Sequence, residues 1–162
     1  MTTRTWMALV FVAVMAGAGC TTAAPPAQDV EADKAKMEAD ATSWFAFLDK
    51  GDADGMASLY AEDALLMPPG VAAINGRAGI RTFLAGEVAN MKTAGLAIKN
   101  GTVTGADVSG DTGWISGNYT VVDASGAAVD SGSYMSVHKR TNGQWLYIRD
   151  TWNSDRPPAP SK

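Results

Sequence analysis

The sequence predicts an α+β fold, and three observations predict it. Apolar residues recur at helical spacing from Asp29 to Met91, and from Leu96 to Trp152 the chain is rich in β-branched and aromatic residues. Turn residues cut that second half into four segments without an intervening helix, so the segments form an antiparallel meander. Helices first and strands afterwards place a helical layer on one sheet. Three N-terminal helices on a strongly curved antiparallel sheet make a conical barrel, with a cavity between helices and sheet. A chain of 162 residues suffices for one such domain plus a leader.

Each element has a local reason. Val30, Met37, Ala41, Trp44 and Leu48 line one face of a first helix, capped by Asp29 and stopped at Gly51. Asp52 or Asp54 caps a short second helix carrying Met56, Leu59 and Tyr60. Ala64 to Met67 is a short strand ended by Pro68-Pro69-Gly70. After Asn75-Gly76, a third helix sets Ile80, Phe83, Leu84, Val88 and Met91 on one side. The long strands are Leu96–Val108, Trp114–Val122, Ser131–Lys139 and Trp145–Trp152. The last two are joined through Asn142-Gly143, a strong hairpin signal. Residues 156–162, with Pro157-Pro158-Ala159-Pro160, form a loose tail outside the fold.

Composition narrows the function. One cysteine excludes an internal disulfide, and one cysteine with one histidine excludes a structural zinc site of the tetrahedral kind. No metal site and no cofactor are called for. An acidic chain (net charge −4, pI about 4.8) with no basic face argues against nucleic acid as a partner.

Residues 5–18, TWMALVFVAVMAGA, are apolar and uncharged, too short for a confident membrane span and suited to a signal peptide. They run into Gly17-Ala18-Gly19-Cys20 and the Pro-bearing segment to Gln28. This resembles a bacterial lipoprotein leader, with residues 1–19 removed, Cys20 lipidated, and 20–28 a flexible tether. Gly17 stands where that family usually has leucine, and secretory cleavage after Ala18 is the alternative, giving a secreted or periplasmic soluble protein. In the lipoprotein reading Thr21 after the cysteine implies an outer-membrane address, with the membrane contacted only through the lipid.

Four segments carry a second resemblance: Trp44–Asp52 (WFAFLDKGD), Ser58–Gly70 (SLYAEDALLMPPG), Asn75–Phe83 (NGRAGIRTF) and Tyr147–Asp155 (YIRDTWNSD). In this order they resemble the SnoaL-like group of the nuclear transport factor 2-like superfamily, which also holds ketosteroid isomerase. The likeness spans about residues 30–155 and is nearest to a bacterial subgroup of unknown function. It implies a conical barrel, residues 29–155, with a pocket against the concave sheet face. The isomerases use a tyrosine and two acids there. Their places fall at Trp44, at Met67 or Pro68, and at Met135, so that mechanism is not expected. An indole donates a hydrogen bond but cannot act as a base.

Aligned so, strand alternation turns Trp114, Ser116, Asn118 and Thr120 inward, with Ser133, Met135 and Val137, and with Leu146, Ile148, Asp150 and Trp152. With Trp44, Leu48, Leu66 and Met67 these make an apolar, aromatic lining suited to a small apolar molecule. Trp44, Met67, Trp114, Asn118, Met135 and Trp152 are the expected ligand contacts. Asp150, desolvated beside Trp152, is the expected general base, unless it pairs with Arg77 or Arg81. Those two arginines could instead form an anion clamp. The opposite face then carries Ile115, Tyr119, Val121, Tyr134, His138, Trp145 and Tyr147, too aromatic for water, and a homodimer through this convex face is expected. Three functions fit: an envelope-tethered binder of a small molecule, a cofactor-independent isomerase, hydrolase or cyclase-like enzyme using Asp150 with Trp44 or Asn118, or an interaction domain whose pocket is merely core.

Overall fold

The computed structural model describes residues 28–156, so the segment expected to be a signal peptide, Cys20 and residues 157–162 lie outside the described residues. Helix α1 (Val30–Lys50) begins where the Asp29 carboxylate accepts from the Ala32 N–H at 3.0 Å. It ends at Gly51, whose φ of 73° lets its N–H turn back to the carbonyl of Leu48. The Asp52 side chain then accepts from Gly55 N–H at 2.8 Å and starts α2 (Ala53–Ser58). This helix is shorter than the sequence suggests: Tyr60 opens strand β1 (Tyr60–Met67) instead of closing the helix. A two-residue strand β2 (Ile74–Asn75) precedes α3 (Arg77–Ala94). Four long strands follow, β3 (Ala97–Ser109), β4 (Thr112–Val122), β5 (Ala128–Thr141) and β6 (Gln144–Ser154). At the β5–β6 turn Asn142 and Gly143 both take positive φ, as the hairpin signal requires.

The six strands form one sheet in the order β2-β1-β6-β5-β4-β3. The pairing is antiparallel except where β1 lies parallel to β6. The α+β expectation therefore holds, with one parallel edge that the meander did not announce. This edge sets Leu66 opposite Asp150 and Tyr60 opposite Tyr147.

The apolar face of α1 is buried as its periodicity demands: Met37 and Ala41 are inaccessible and Leu48 nearly so. The main cluster joins Leu48, Met56, Tyr60, Leu66, Ile80, Leu84 and Tyr147. A smaller one, Met37, Val108 and Trp145 with Val30 against it, closes the end where α1 begins.

The same closed end holds an ion pair whose acid is buried and whose arginine is partly exposed. Asp33, 3% exposed, accepts from Arg140 Nη1 on both oxygens at 3.0 Å and from Trp145 Nε1 at 3.1 Å. Arg140 also donates to the Asp111 carboxylate and the Gly110 carbonyl, and it stacks over Trp145 with its guanidinium carbon 4.9 Å from the ring centre. Burial alone would raise the Asp33 pKa. The hydrogen bonds from Trp145 and Gln28 and the charges of Arg140 and Lys36 outweigh it and hold the carboxyl below its ordinary value.

Three strands turn inward a face other than the expected one, the last of them in part. On β4 and β5 the inward set is Ile115, Gly117 and Tyr119 with Tyr134, Ser136 and His138. Trp114 and Met135 stand outside, 37% and 48% exposed, and Asn118 is exposed with them. On β6 the alternation changes phase. Arg149 pairs with Val137 but Tyr147 pairs with His138, so Ile148 is an extra residue. The bulge turns Trp145 and Tyr147 to the same side as Asp150 and Trp152. Leu146 and Ile148, expected in the cavity, pack against the main cluster without lining it. His138 is wholly buried under the sheet's inner face and not at an outer surface.

Candidate functional site

A cavity of about 380 Å³ opens between the two layers. Helix α1 supplies Ala41, Trp44 and Phe45 from one side. Met91 of α3, Leu96 and Ile98 close another, and the sheet contributes Tyr119, Tyr134, Tyr147, Asp150 and Trp152. Glu87, Asp130 and Arg156 are the remaining charged groups on its lining.

Gly117 shapes this wall. A side chain there would begin 2.4 Å from the Tyr134 hydroxyl, so its absence lets the Tyr134 ring lie flat across β4 toward Phe45, the two ring centres 5.9 Å apart. The Tyr134 hydroxyl is sealed and has no hydrogen-bond partner among the described residues. Tyr134→Phe is therefore expected to raise stability by about 1 kcal/mol, because an unpaired buried hydroxyl costs about that much or more. Denaturant midpoints of the two proteins check it.

Asp150 is the chemical centre. It is 7% exposed and lines the cavity, yet its Oδ2 accepts a hydrogen bond from the Tyr60 hydroxyl at 2.5 Å. Tyr60 in turn accepts from Trp44 Nε1 at 3.1 Å. The second carboxyl oxygen has no side-chain partner among the described residues. Burial pushes the Asp150 pKa up to about 7, against the smaller opposing effects of the Tyr60 hydroxyl and the Thr151 backbone N–H. Burial, and then the Asp150 charge, raises the Tyr60 pKa well above the ordinary tyrosine value, so Tyr60 remains a donor. The chain Trp44 to Tyr60 to Asp150 thus fixes the carboxyl and leaves one oxygen for a ligand. A carboxyl that titrates near neutrality and is held by one donor can take up and return a proton.

His138 does not share this site. Its Nε2 meets the Ser136 hydroxyl at 2.9 Å, its ring packs 4.1 Å from that of Tyr147, and Nδ1 has no partner among the described residues. Burial lowers its pKa to about 4, so it is neutral at physiological pH. Among the described residues no cluster of three acids, histidines or cysteines is placed to hold a metal ion.

The expected contacts divide. Trp44, Asp150 and Trp152 line the cavity. Trp114, Asn118 and Met135 lie on the outer face and cannot reach it. Met67 is half-buried in β1, where its carbonyl accepts from the Thr151 hydroxyl, and it does not line the cavity. Asn118 Oδ1 is engaged instead by the Thr102 N–H at 2.7 Å. Arg77 pairs with Glu62 and Arg81 with Asp54, all on the surface, so neither meets Asp150 and no anion clamp forms. From the sequence, Tyr60 falls on the second helix and Tyr134 and Tyr147 on the outer face. The signal that finds Tyr134 and Tyr147 is the larger aromatic content of the set containing Tyr119, Tyr134, Trp145 and Tyr147, which belongs inside; Tyr60 is brought in by the pairing of β1 with β6.

The SnoaL-like domain profile matches residues 41–148, more than half of the chain. The chain belongs to the SnoaL-like domain family. Asp150 and Trp152 lie just past the matched segment but within the same sheet. Solved structures agree in fold. A nuclear transport factor 2-like protein with a cystatin-like fold from Novosphingobium aromaticivorans is 23% identical, with a TM-score of 0.68 over 75% of this chain and 81% of its own. A protein of unknown function with a cystatin-like fold from Nostoc punctiforme is 20% identical, with a TM-score of 0.67 over 80% of this chain and 95% of its own. A ketosteroid isomerase-like protein from Erwinia carotovora atroseptica is 20% identical, with a TM-score of 0.58 over 77% of this chain and 98% of its own. A comparison with curated proteins finds no match.

Proposed function

We propose that this SnoaL-like domain binds a small, largely apolar molecule in its cavity and that Asp150 exchanges a proton with it, in a cofactor-independent reaction of isomerase, hydrolase or cyclase type. One observation carries the catalytic part: a buried carboxyl on the wall of an apolar cavity, held on one oxygen by Tyr60, with its pKa raised to about 7. As carboxylate Asp150 takes a proton from a polarised C–H or O–H group. As acid it returns the proton to another atom of the bound molecule. Trp44 and Tyr60 are positioning residues that hold the carboxyl.

The second reading is binding without catalysis. It is favoured by the tyrosines around Asp150: burial raises the pKa of Tyr60, Tyr134 and Tyr147, so none of them serves as a second base. Deuterium wash-in separates the two. A panel of cyclic and aromatic ketones is incubated with the protein in heavy water, and label uptake is read by mass spectrometry. Catalysis predicts uptake by some members, rising with pH through about 7 and falling about 100-fold or more in Asp150→Asn. Binding without uptake across the panel, with an Asp150 carbon-13 titration near 4, overturns the catalytic reading and leaves the binder.

Two parts of the proposal rest on sequence. Attachment to the cell envelope through a lipidated Cys20 rests on the leader pattern, and loss of the chain from the membrane fraction in Cys20→Ser tests it. The second, a homodimer, is expected from the sequence on the aromatic set of Tyr119, Tyr134 and Tyr147, which lies inside the fold; the proposed contact therefore passes to the opposite sheet face, where Trp114 and Met135 are exposed. A single monomeric species in sedimentation at high concentration rejects it.

A further inference from the structure

Beside the cavity lies a groove of about 470 Å³ between the last turns of α1 and α3 and the start of β3. It shares Met91, Leu96 and Ile98 with the cavity, so a single layer of side chains belongs to both. Two cations stand on it, Lys50 and Lys92, and neither has an acidic partner among the described residues. The one acid of the groove, Asp49, is engaged by Lys99 at 3.7 Å. Each lysine suits the end of its helix. Those ends, however, are already closed by backbone N–H groups of Gly51 and Gly95, so the ammonium groups are not needed as caps.

The cavity itself has the opposite bias. Glu87 lines it without a cationic partner among the described residues, and Asp130 is balanced by Arg156 at 3.7 Å. A negatively charged group is therefore disfavoured beside Glu87 and favoured over the groove.

We propose that Lys50 and Lys92 hold the charged end of the cavity's ligand, which makes that ligand an amphiphilic organic anion: an apolar body seated against Trp44 and Trp152, with a carboxylate, sulfonate or phosphate reaching the groove past Met91. This rests on the reading of the cavity as a ligand site. Met91, unbranched and flexible, is the side chain best able to move aside at the junction.

Two fluorescent probes with the same ring skeleton test the assignment: 1-anilinonaphthalene-8-sulfonate, which is anionic, and N-phenyl-1-naphthylamine, which is neutral. Each is titrated into the protein, into the Lys50→Gln/Lys92→Gln variant, and into Lys99→Gln, which removes a lysine already paired. The expected result is a three- to tenfold loss of sulfonate affinity (roughly) in the double variant, the size that two exposed charge contacts give. The loss should shrink at high salt. The neutral probe should bind all three proteins alike, and Lys99→Gln should resemble the parent. Equal sulfonate affinity in parent and double variant, with the neutral probe still bound, overturns the lysine assignment and leaves the cavity reading standing. A loss shared by both probes, or reproduced by Lys99→Gln, also overturns it. If the parent binds neither probe, the cavity reading fails and the assignment falls with it.

Discussion

Asp150→Asn is expected to stabilise the folded chain at pH 8 by about 4 kcal/mol and to change little at pH 4. The sign follows from the direction of the shift. The folded pKa, about 7, lies above the unfolded value near 4. Below the unfolded value the carboxyl is protonated in both states and its burial carries no charge penalty. As pH rises the unfolded chain releases the proton first, so stability falls until the folded carboxyl also ionises near 7 and then levels off. About three pKa units correspond to about 4 kcal/mol. Asparagine keeps an acceptor for the Tyr60 hydroxyl and cannot ionise. Thermal unfolding of both proteins from pH 4 to 8 reads the effect, and parallel stability curves would show that Asp150 does not titrate as placed. The same substitution removes the proposed base, so gain of stability and loss of label uptake should appear together.

The opposite behaviour is expected at the closed end. Asp33→Ala should cost about 1–3 kcal/mol at pH 7, since it takes from Arg140 one of its two carboxylate partners and leaves the buried Trp145 N–H without an acceptor. That is a large fraction of the 5–15 kcal/mol or so that holds an ordinary domain together. Because the Asp33 pKa is lowered in the fold, its contribution is full above the unfolded carboxylate value and is lost as pH falls through the folded one. The difference between parent and variant should therefore narrow in acid. Asp33→Leu combined with Arg140→Met should recover only part of the loss, because the charge pair leaves together but the Trp145 N–H still lacks an acceptor. If the double variant is no better than Asp33→Ala, the unpaired Trp145 N–H and not the weakened arginine pair sets the cost.

The legible parts of this chain were those with local causes. Asp29, Gly51, Asp52 and Asn142-Gly143 each act within a few residues, and the element ends they mark appear where expected. The order of helices and strands, and the four segments shared with the SnoaL-like group, gave the family. Asp150 and Trp152 were legible because they lie beyond the irregularity in their strand. The inner faces of β4 and β5 were not, since both faces of each strand carry apolar residues and alternation alone cannot choose between them. Ile148 compounded this: one inserted residue reverses Trp145 and Tyr147 relative to Asp150, and nothing local to that residue marks it. The parallel pairing of β1 with β6 was invisible for the same reason, and with it the meeting of Tyr60 and Asp150, ninety positions apart in the chain.

The capped start of α1 has a practical consequence. Gln28 donates to the carbonyl of Gly110 at the β3–β4 turn, while Arg156 lines the cavity near Val121 at the other end of β4. Eleven strand residues, roughly 35 Å, separate the two points. An affinity handle or surface linkage joined ahead of Gln28 is attached far from the cavity, whereas one joined directly after Arg156 begins at a residue of its lining. Probe affinities should therefore be measured with attachment at the amino-terminal side, and a matched carboxy-terminal attachment becomes a simple way to obstruct the site without altering a single residue of its lining.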